Sequence, residues 1–277
     1  NNMKLSVSES QSPDVNLLEL EFNEALARFE SAKDFDTHIK NMKTIYDIRA
    51  KFDTMSSVAA ARYSIDTNDQ FYKAEQDFFD ENGPVYQGWI NKFYAVLVKS
   101  PYRSQIEERF GKHIFTLAEM SVKVFSDEIV PDMQEENHLC TAYNDLIASA
   151  SIDFEGEERN LSELTPFTQS TDRDMRMRAN EAKWGFMDSV SGQLDEIYDK
   201  LVKVRHRMAV KLGYNNFVEM GYNRMLRSDY DAAMIKRFRG QVKEHIVPFA
   251  QLQRKKQAER LGPVSYTHLT LPTMRTV

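Results

Sequence analysis

The chain has 277 residues, 42% hydrophobic and 28% charged, with a formal net charge of −6 and an isoelectric point near 5.6. This composition is typical of a soluble globular protein, and the acidic balance makes nucleic acid an unfavourable partner. No run of about 18 apolar residues occurs, so no membrane partner is predicted. The single cysteine, Cys140, excludes an internal disulfide and favours a reducing, cytoplasmic compartment.

The first organised element is predicted in SPDVNLLELEFNEALARFESAK, which begins at Ser12. Ser12 is the predicted N-cap residue, with Pro13 in the first helical turn and Asp14 favouring the positive end of the helix dipole. The apolar residues that follow recur at three- and four-residue steps and predict an amphipathic helix. They are Val15, Leu18, Phe22, Leu26 and Phe29.

More helices are predicted between this element and position 148, separated by short breakers. The helical patterns cover 36–63, 68–81, 84–99, 101–110, 113–129 and 133–148. The breakers include ENGP at 81–84 and SP at 100–101. Because the connections are short, the helices are expected to pack as antiparallel neighbours.

The segment ASASIDFEGEERNLSEL interrupts the helical rhythm. Ile152 and Phe154 alternate with polar residues, and Gly156 supplies a turn, so one small β-hairpin is predicted near 151–164. The predicted fold class is therefore all-α, mainly an α-helical array with this one small hairpin.

The longest helical pattern runs from Thr171 to Leu212, with Ser170 or Thr171 as the predicted cap and Gly213 as the predicted end. Its apolar stripe comprises Met187, Val190, Leu194, Ile197, Leu201, Val204, Met208 and Leu212. A coiled-coil seam is one alternative, but flanking apolar residues widen the stripe and favour packing inside a helical array. Those flanking residues are Trp184, Phe186, Tyr198 and Val202. A shorter helix from Asn216 and another from Tyr230 to Arg260 follow.

Motifs that carry local chemistry are missing from the printed sequence. No two of the six histidines lie four residues apart, which excludes an HExxH zinc helix. Neither a phosphate-binding glycine loop nor a GxSxG nucleophile elbow occurs. His138 and Cys140 are two residues apart on a predicted helix, so their side chains diverge and are not expected to share a metal.

The remaining charged clusters have structural explanations. Glu157 and Glu158 lie beside the hairpin turn, and Asp172 and Asp174 open the long helix, where turn solvation and the helix dipole account for them. After Gly213, the residues Tyr214, Phe217 and Tyr222 are expected to fix the next segment against the long helix. An ion-pair network is predicted at this corner among Arg224, Arg227, Asp229 and Asp231. We therefore predict no catalytic residue and no metal ligand in the chain, and the sequence identifies no substrate-binding residue.

Four segments carry a more specific pattern. They are MKLSVSESQSPDVNLLELEFNEALARFESAK from Met3, YSIDTNDQFYKAEQDFFDENGP at 63–84, NLSELTPFTQSTDRDMRMRANEAKW at 160–184 and KLGYNNFVEMGYNRMLRSDYD at 211–231. These segments closely resemble the N-terminal half of oligoendopeptidase F-type zinc metallopeptidases, relatives of thimet oligopeptidase. The resemblance covers about residues 3–262.

The resemblance implies an almost entirely helical protein with two halves facing each other across a channel that admits short peptides. It also implies a Zn²⁺ cofactor, held by an HExxH helix and a downstream glutamate that lie beyond this sequence, so no ligand is carried over. The oligomeric state stays open. The chain alone is expected to hold no stoichiometric zinc and to cleave no peptide.

The resemblance also sets the expected boundaries. Residues 1–150 are predicted to form an N-terminal helical domain, and 151–262 the start of the peptidase catalytic region. The Thr-, Leu- and Pro-rich stretch at 263–277 loses the helical period, and SYTHLTLPT resembles translated adapter read-through, so a non-native tail is expected there. Met3 is the expected natural start, with Asn1 and Asn2 as read-through.

The alternative function is a stand-alone, non-catalytic helical binding or scaffold protein whose tail is genuine. It would explain the missing zinc motif without truncation. A complete scaffold should unfold cooperatively as one monodisperse species, whereas half of a larger enzyme should expose apolar surface and self-associate.

Overall fold

A computed structural model describes residues 12–261, and the expected tail at 263–277 lies outside them. The chain separates into two compact units. Among the described residues, the first unit holds 12–148 together with Gly192–Ser228, and the second holds Ser149–Ser191 together with 229–261. Among the described residues, no helix combines the length and the apolar character needed to cross a bilayer.

The first unit begins with two helices, α1 at Val15–Glu30 and α2 at Phe35–Ile65. Asp14, rather than the predicted Ser12, caps α1, because its carboxylate accepts from the backbone N–H groups of Asn16 and Leu17. The hydroxyl of Ser12 instead donates to Glu75 at 3.0 Å. The predicted apolar stripe is confirmed, since its residues are buried or half-buried.

Helix α3 spans Gln70–Val98 and continues through Pro84. The predicted break at ENGP is therefore wrong. Proline lacks the N–H that would pair with the carbonyl four residues earlier, which here belongs to Asp80. The side-chain amide of Asn137 donates to that carbonyl at 3.0 Å, so a neighbouring helix supplies the missing donor.

Helices α4 at Arg103–Phe110, α5 at His113–Val122 and α6 at Val130–Ala148 follow, with a 3-10 turn at Asp127–Ile129. The break at SP is confirmed, but the predicted single helix over 113–129 is wrong. Phe125 leaves the helix and lies against Gly88 of α3, where an added Cβ atom would come within 3.1 Å of the ring. The free energy gained by burying this phenyl ring exceeds the free energy that continuing the helix would provide.

The main core of the first unit lies among α1 to α5 and is rich in aromatic side chains. Phe29 stacks on His38 with ring centroids 3.9 Å apart, and Phe52 stacks on Tyr86 at the same distance. His38 is 2% exposed, and its two ring nitrogens contact the Phe29 carbonyl and the Ser100 hydroxyl. Both ring nitrogens thus have a partner, and this histidine is structural.

Two further helices belong to the first unit, α9 at Ser191–Lys211 and α10 at Phe217–Arg224. Gly213 has a φ of 84°, which confirms the predicted left-handed end after α9. The helix predicted from Asn216 is confirmed as α10, and the side chain of Asn216 caps it. A small core cluster joins Met208 of α9, Met220 of α10 and Ile129.

The second unit contains the predicted hairpin. Strands β1, Ile152–Phe154, and β2, Glu157–Arg159, pair antiparallel with Phe154 opposite Glu157. Helices α7, Thr165–Thr168, and α8, Arg173–Ser189, follow. The all-α fold with one small hairpin near 151–164 is confirmed.

The predicted continuous helix from Thr171 to Leu212 is wrong at two points. Its N-cap is Asp172, which accepts from the N–H groups of Asp174 and Met175, and not Ser170 or Thr171. The helix breaks at Val190, between α8 and α9. Here the hydroxyls of Ser189 and Ser191 bond to helix carbonyls at 2.7 Å, an arrangement that competes with helix continuation.

The stripe residues themselves are buried or half-buried. Three of the four flanking apolar side chains are exposed, namely Trp184 (57%), Tyr198 (69%) and Val202 (50%). The wide apolar face is therefore not covered within the described chain.

The last helical stretch of the second unit runs from Ala232 to Leu261 as α11 (Ala232–Gln241), a π-helical turn (Val242–Ile246) and α12 (Val247–Leu261). This confirms the helix predicted from Tyr230 to Arg260, with Asp231 as its cap. Its exposed apolar side chains are Met234, Phe238, Ile246, Val247, Phe249 and Leu252.

Candidate functional site

One group of possible metal-ligating side chains lies between α3 and α6 in the first unit. Asp77 and Asp80 are three residues apart on α3, and His138 lies on α6. One ligand atom from each lies within 4.8 Å of the others, the one such group of possible metal ligands found among residues 12–261. We call these three residues the Asp–His cluster.

Neighbouring side chains orient the Asp–His cluster. Glu81 contacts His138 Nε2 at 2.6 Å, and His138 Nδ1 lies 3.9 Å from Asp80 Oδ2. Thr141 donates its hydroxyl to Asp80 Oδ2 at 2.6 Å, and the Gln76 amide donates to Asp80 Oδ1 at 2.9 Å. The buried carboxylate is therefore fixed in position, with the imidazole Nδ1 near it.

Several carboxylates lie close together around the cluster. Asp80 is 6% exposed, and burial raises the pKa of its carboxyl, against the lowering effect of its hydrogen bonds to Thr141 and Gln76. Beside it, Tyr63 donates its hydroxyl to Asp145. Burial first, and then the charges of Asp145, Asp77 and Asp80, raise the pKa of Tyr63.

A second polar group joins α6 to α9 and α10. The buried carboxylate of Asp132 contacts Arg207 at 2.6 Å and Lys211 at 2.7 Å. The buried carboxylate of Glu136 contacts Arg205 at 2.6 Å and Arg224 at 2.9 Å. Each carboxylate thus has two cationic partners, which suits it to holding helices together.

The corner after α9 is built as the sequence predicts in one respect and differently in another. Tyr214 donates its hydroxyl to the Lys123 carbonyl at 3.0 Å and accepts from Asn223 at 3.2 Å, so it does fix the segment. The predicted ion-pair network is wrong for two members. Arg224 pairs with Glu136, and Asp231 caps α11. Each side chain bonds to the group that packing places next to it.

The other singled-out residues have structural roles. Glu157 pairs with Arg159, two residues along the same strand β2, and Asp172 caps α8 with Asp174 in its first turn. The half-buried thiol of Cys140 has a pKa raised by burial, so it is a weak nucleophile. It is not part of the Asp–His cluster.

Sequence reasoning missed the Asp–His cluster. The sequence places His138 near Cys140, whereas its partners lie 57 or more positions earlier in the chain. The available signal was the Asp-x-x-Asp spacing on α3, which places two carboxylates on one helix face. Nothing in the sequence pairs that face with α6.

The family model for the Peptidase M3 N-terminal domain matches residues 6–125. No curated protein matches the chain.

Three solved structures are similar over nearly all of the chain. A structure of PZ peptidase A with an inhibitor is 48% identical with a TM-score of 0.91, covering 94% of this chain and 46% of the other. An oligoendopeptidase F is 48% identical with a TM-score of 0.91, covering 93% of this chain and 46% of the other. An oligoendopeptidase F from Bacillus anthracis is 46% identical with a TM-score of 0.90, covering 95% and 48%. The chain therefore spans about half the length of these relatives.

Proposed function

From the fact that this chain belongs to the oligoendopeptidase F-type peptidases of the M3 family, we propose that it is the N-terminal half of a zinc-dependent oligoendopeptidase. The complete enzyme hydrolyses internal bonds of short peptides. The observation that carries the proposal is the identity of 48% over 94% of this chain, with a TM-score of 0.91, to a peptidase structure about twice as long.

The chain's own residues do not fit a catalytic zinc site of the HExxH kind. None of its six histidines lies four positions from another. The Asp–His cluster contributes a single imidazole, and no glutamate stands between two histidine ligands as a base. The proposal therefore assigns the catalytic zinc ligands and the general base to residues outside this chain.

In our proposal, this N-terminal half of the enzyme forms one wall of a channel for peptides. Residues 1–150 form the N-terminal helical domain, and the catalytic region begins at 151. The M3 N-terminal domain match at 6–125 lies within the first of these two proposed domains. The free thiol of Cys140 supports a cytoplasmic enzyme, because reducing compartments keep thiols free.

The test has two parts. The source DNA is sequenced across and beyond the codon for Gly262, and the purified chain is incubated with Zn²⁺ and internally quenched peptides. An open frame that continues into an HExxH helix, together with no cleavage by the chain itself, is the expected result. A confirmed stop codon after Val277 would instead support the non-catalytic scaffold, and cleavage by the chain alone would overturn our placement of the catalytic residues.

A further inference from the structure

We propose that Asp77, Asp80 and His138 bind one divalent transition-metal cation between α3 and α6. This inference departs from the sequence-based expectation of a chain without metal ligands. It does not depend on the proposed peptidase function.

The first support is the geometry of the ligand atoms. Ligands of one zinc-like ion lie about 2.1 Å from it, so two of them can be at most about 4.2 Å apart. His138 Nδ1 and Asp80 Oδ2 are 3.9 Å apart, too far for a hydrogen bond but within reach of a shared ion. All three ligand atoms lie within 4.8 Å of one another. The remaining adjustment falls to Asp77, whose exposed side chain is free to rotate.

The second support is the orientation of the imidazole. Glu81 lies 2.6 Å from His138 Nε2, so the proton of a neutral His138 is held on Nε2. The other ring nitrogen, Nδ1, lies 3.9 Å from Asp80 Oδ2 and is left available to a metal ion. A carboxylate that fixes the far nitrogen of a histidine is the usual outer contact of a metal-binding imidazole.

The third support is the charge of the site. Asp80 is 6% exposed, and its hydrogen-bond donors, Thr141 and Gln76, are neutral groups. Asp77, Glu81 and Asp145 add further carboxylates around it. Asp80 and Glu81 both have the same imidazole as an ion-pair partner. A bound dication would neutralise more of this charge than one imidazolium can.

The ligand set indicates the class of cation. Two carboxylates and one imidazole give an oxygen-rich site with one nitrogen, which suits Zn²⁺, Co²⁺ or Mn²⁺ better than soft ions that prefer thiolates. The Cys140 thiol does not join the group. Water would complete the coordination, since His138 is 42% exposed at its side chain.

The experiment is a titration of the tag-free, chelator-treated chain with CoCl₂, followed by its visible absorption, and with ZnCl₂ by calorimetry. We expect one equivalent to bind and the thermal unfolding midpoint to rise. Asp77→Asn and His138→Gln should each weaken binding by about tenfold or more, while circular dichroism shows an unchanged fold. Both substitutions are on exposed or partly exposed side chains, so misfolding is not expected to hide the result.

The matched controls are Asp47→Asn and His113→Gln, which replace the same residue types at exposed positions on α2 and α5. They should bind the metal as the unaltered chain does. The proposal is overturned if the unaltered chain shows no saturable binding, or if Asp77→Asn and His138→Gln bind as tightly as the controls. Peptide cleavage is not a readout here, so this test and the test of the proposed function fail independently.

Discussion

At the scale of single residues, buried ion pairs hold the helices of the first unit together better than exposed ion pairs do. Asp132 is 4% exposed and contacts both Arg207 and Lys211. Burial raises the pKa of its carboxyl, but the hydrogen bonds from Lys211 and Arg207 together lower this pKa by more, so the net shift is downward. The carboxylate form is therefore favoured by the folded state.

This shift predicts an acid-dependent stability. A group whose pKa is lower in the folded state adds stability above its unfolded pKa, about 3.9 for Asp, and loses it as the pH falls through the folded value. Asp132→Asn should lower the free energy of unfolding by about 1 to 2 kcal/mol at pH 7, since Arg207 and Lys211 are partly exposed and screened. Urea unfolding across the pH range should show this difference shrinking below about pH 4.

Asp47→Asn on the exposed side of α2 is the control and should change stability little at any of these pH values. A pH-independent loss in Asp132→Asn would contradict the assignment, because it would mean that packing, and not charge, accounts for the effect.

At the scale of elements, helix boundaries are decided where one helix meets another. Helix α3 passes through Pro84 because Asn137 on α6 donates to the Asp80 carbonyl that the proline leaves without a helical partner. On the same side, Gln134 donates to the Glu81 carbonyl at 2.8 Å. The N–H of Val85, four residues later in the helix, is also a donor for the Glu81 carbonyl.

These contacts predict coupling between Asn137 and Pro84. Asn137→Leu should cost about 1 to 2 kcal/mol of stability, because the Asp80 carbonyl is left without a donor. In a Pro84→Ala background the new N–H can bond to this carbonyl, and the same substitution should cost about 1 kcal/mol less. Chemical unfolding of the four variants in a double-mutant cycle measures the difference.

Gln134→Leu is the matched comparison, since it removes an amide from the same helix but leaves the Glu81 carbonyl its helical donor. Its cost should be below that of Asn137→Leu and independent of Pro84. Equal costs for Asn137→Leu in both backgrounds would show that the amide does not replace the missing proline N–H.

At the scale of the whole molecule, the described chain leaves a long apolar helix face uncovered. Phe238 is 61% exposed and Phe249 is 59% exposed on α11 and α12. Exposed apolar patches of this kind mark interaction surfaces. The structural relatives are about twice as long as this chain.

The isolated chain should consequently self-associate. Sedimentation velocity is expected to show oligomers that increase with protein concentration. Replacing Phe238 and Phe249 together by glutamate should shift the chain towards monomer, because the apolar contact is lost and like charges repel. Replacing Gln241 and Gln253 by glutamate adds the same charge to the same helix at exposed positions and should leave self-association largely unchanged.

A monodisperse monomer at high concentration would contradict this prediction and favour the scaffold alternative. If both double variants dissociate equally, net charge and not the apolar face would be responsible.

The sequence by itself determined the features that depend on neighbours along the chain. The three- and four-residue apolar steps predicted α1, and the alternation around Gly156 predicted the hairpin, because these patterns report which face of an element is buried. The segment at 211–231 carried the family resemblance for the same reason, because its characteristic residue pattern lies in one continuous stretch of the chain.

Only the tertiary structure decided what depends on residues far apart in the chain. Tertiary contacts allow α3 to continue through Pro84, pack Phe125 against Gly88 and pair Arg224 with Glu136. They also bring His138 to α3, which creates the Asp–His cluster. Side-chain partners across helices are set by packing, and their energies exceed the local preferences of about 1 kcal/mol on which sequence reading depends.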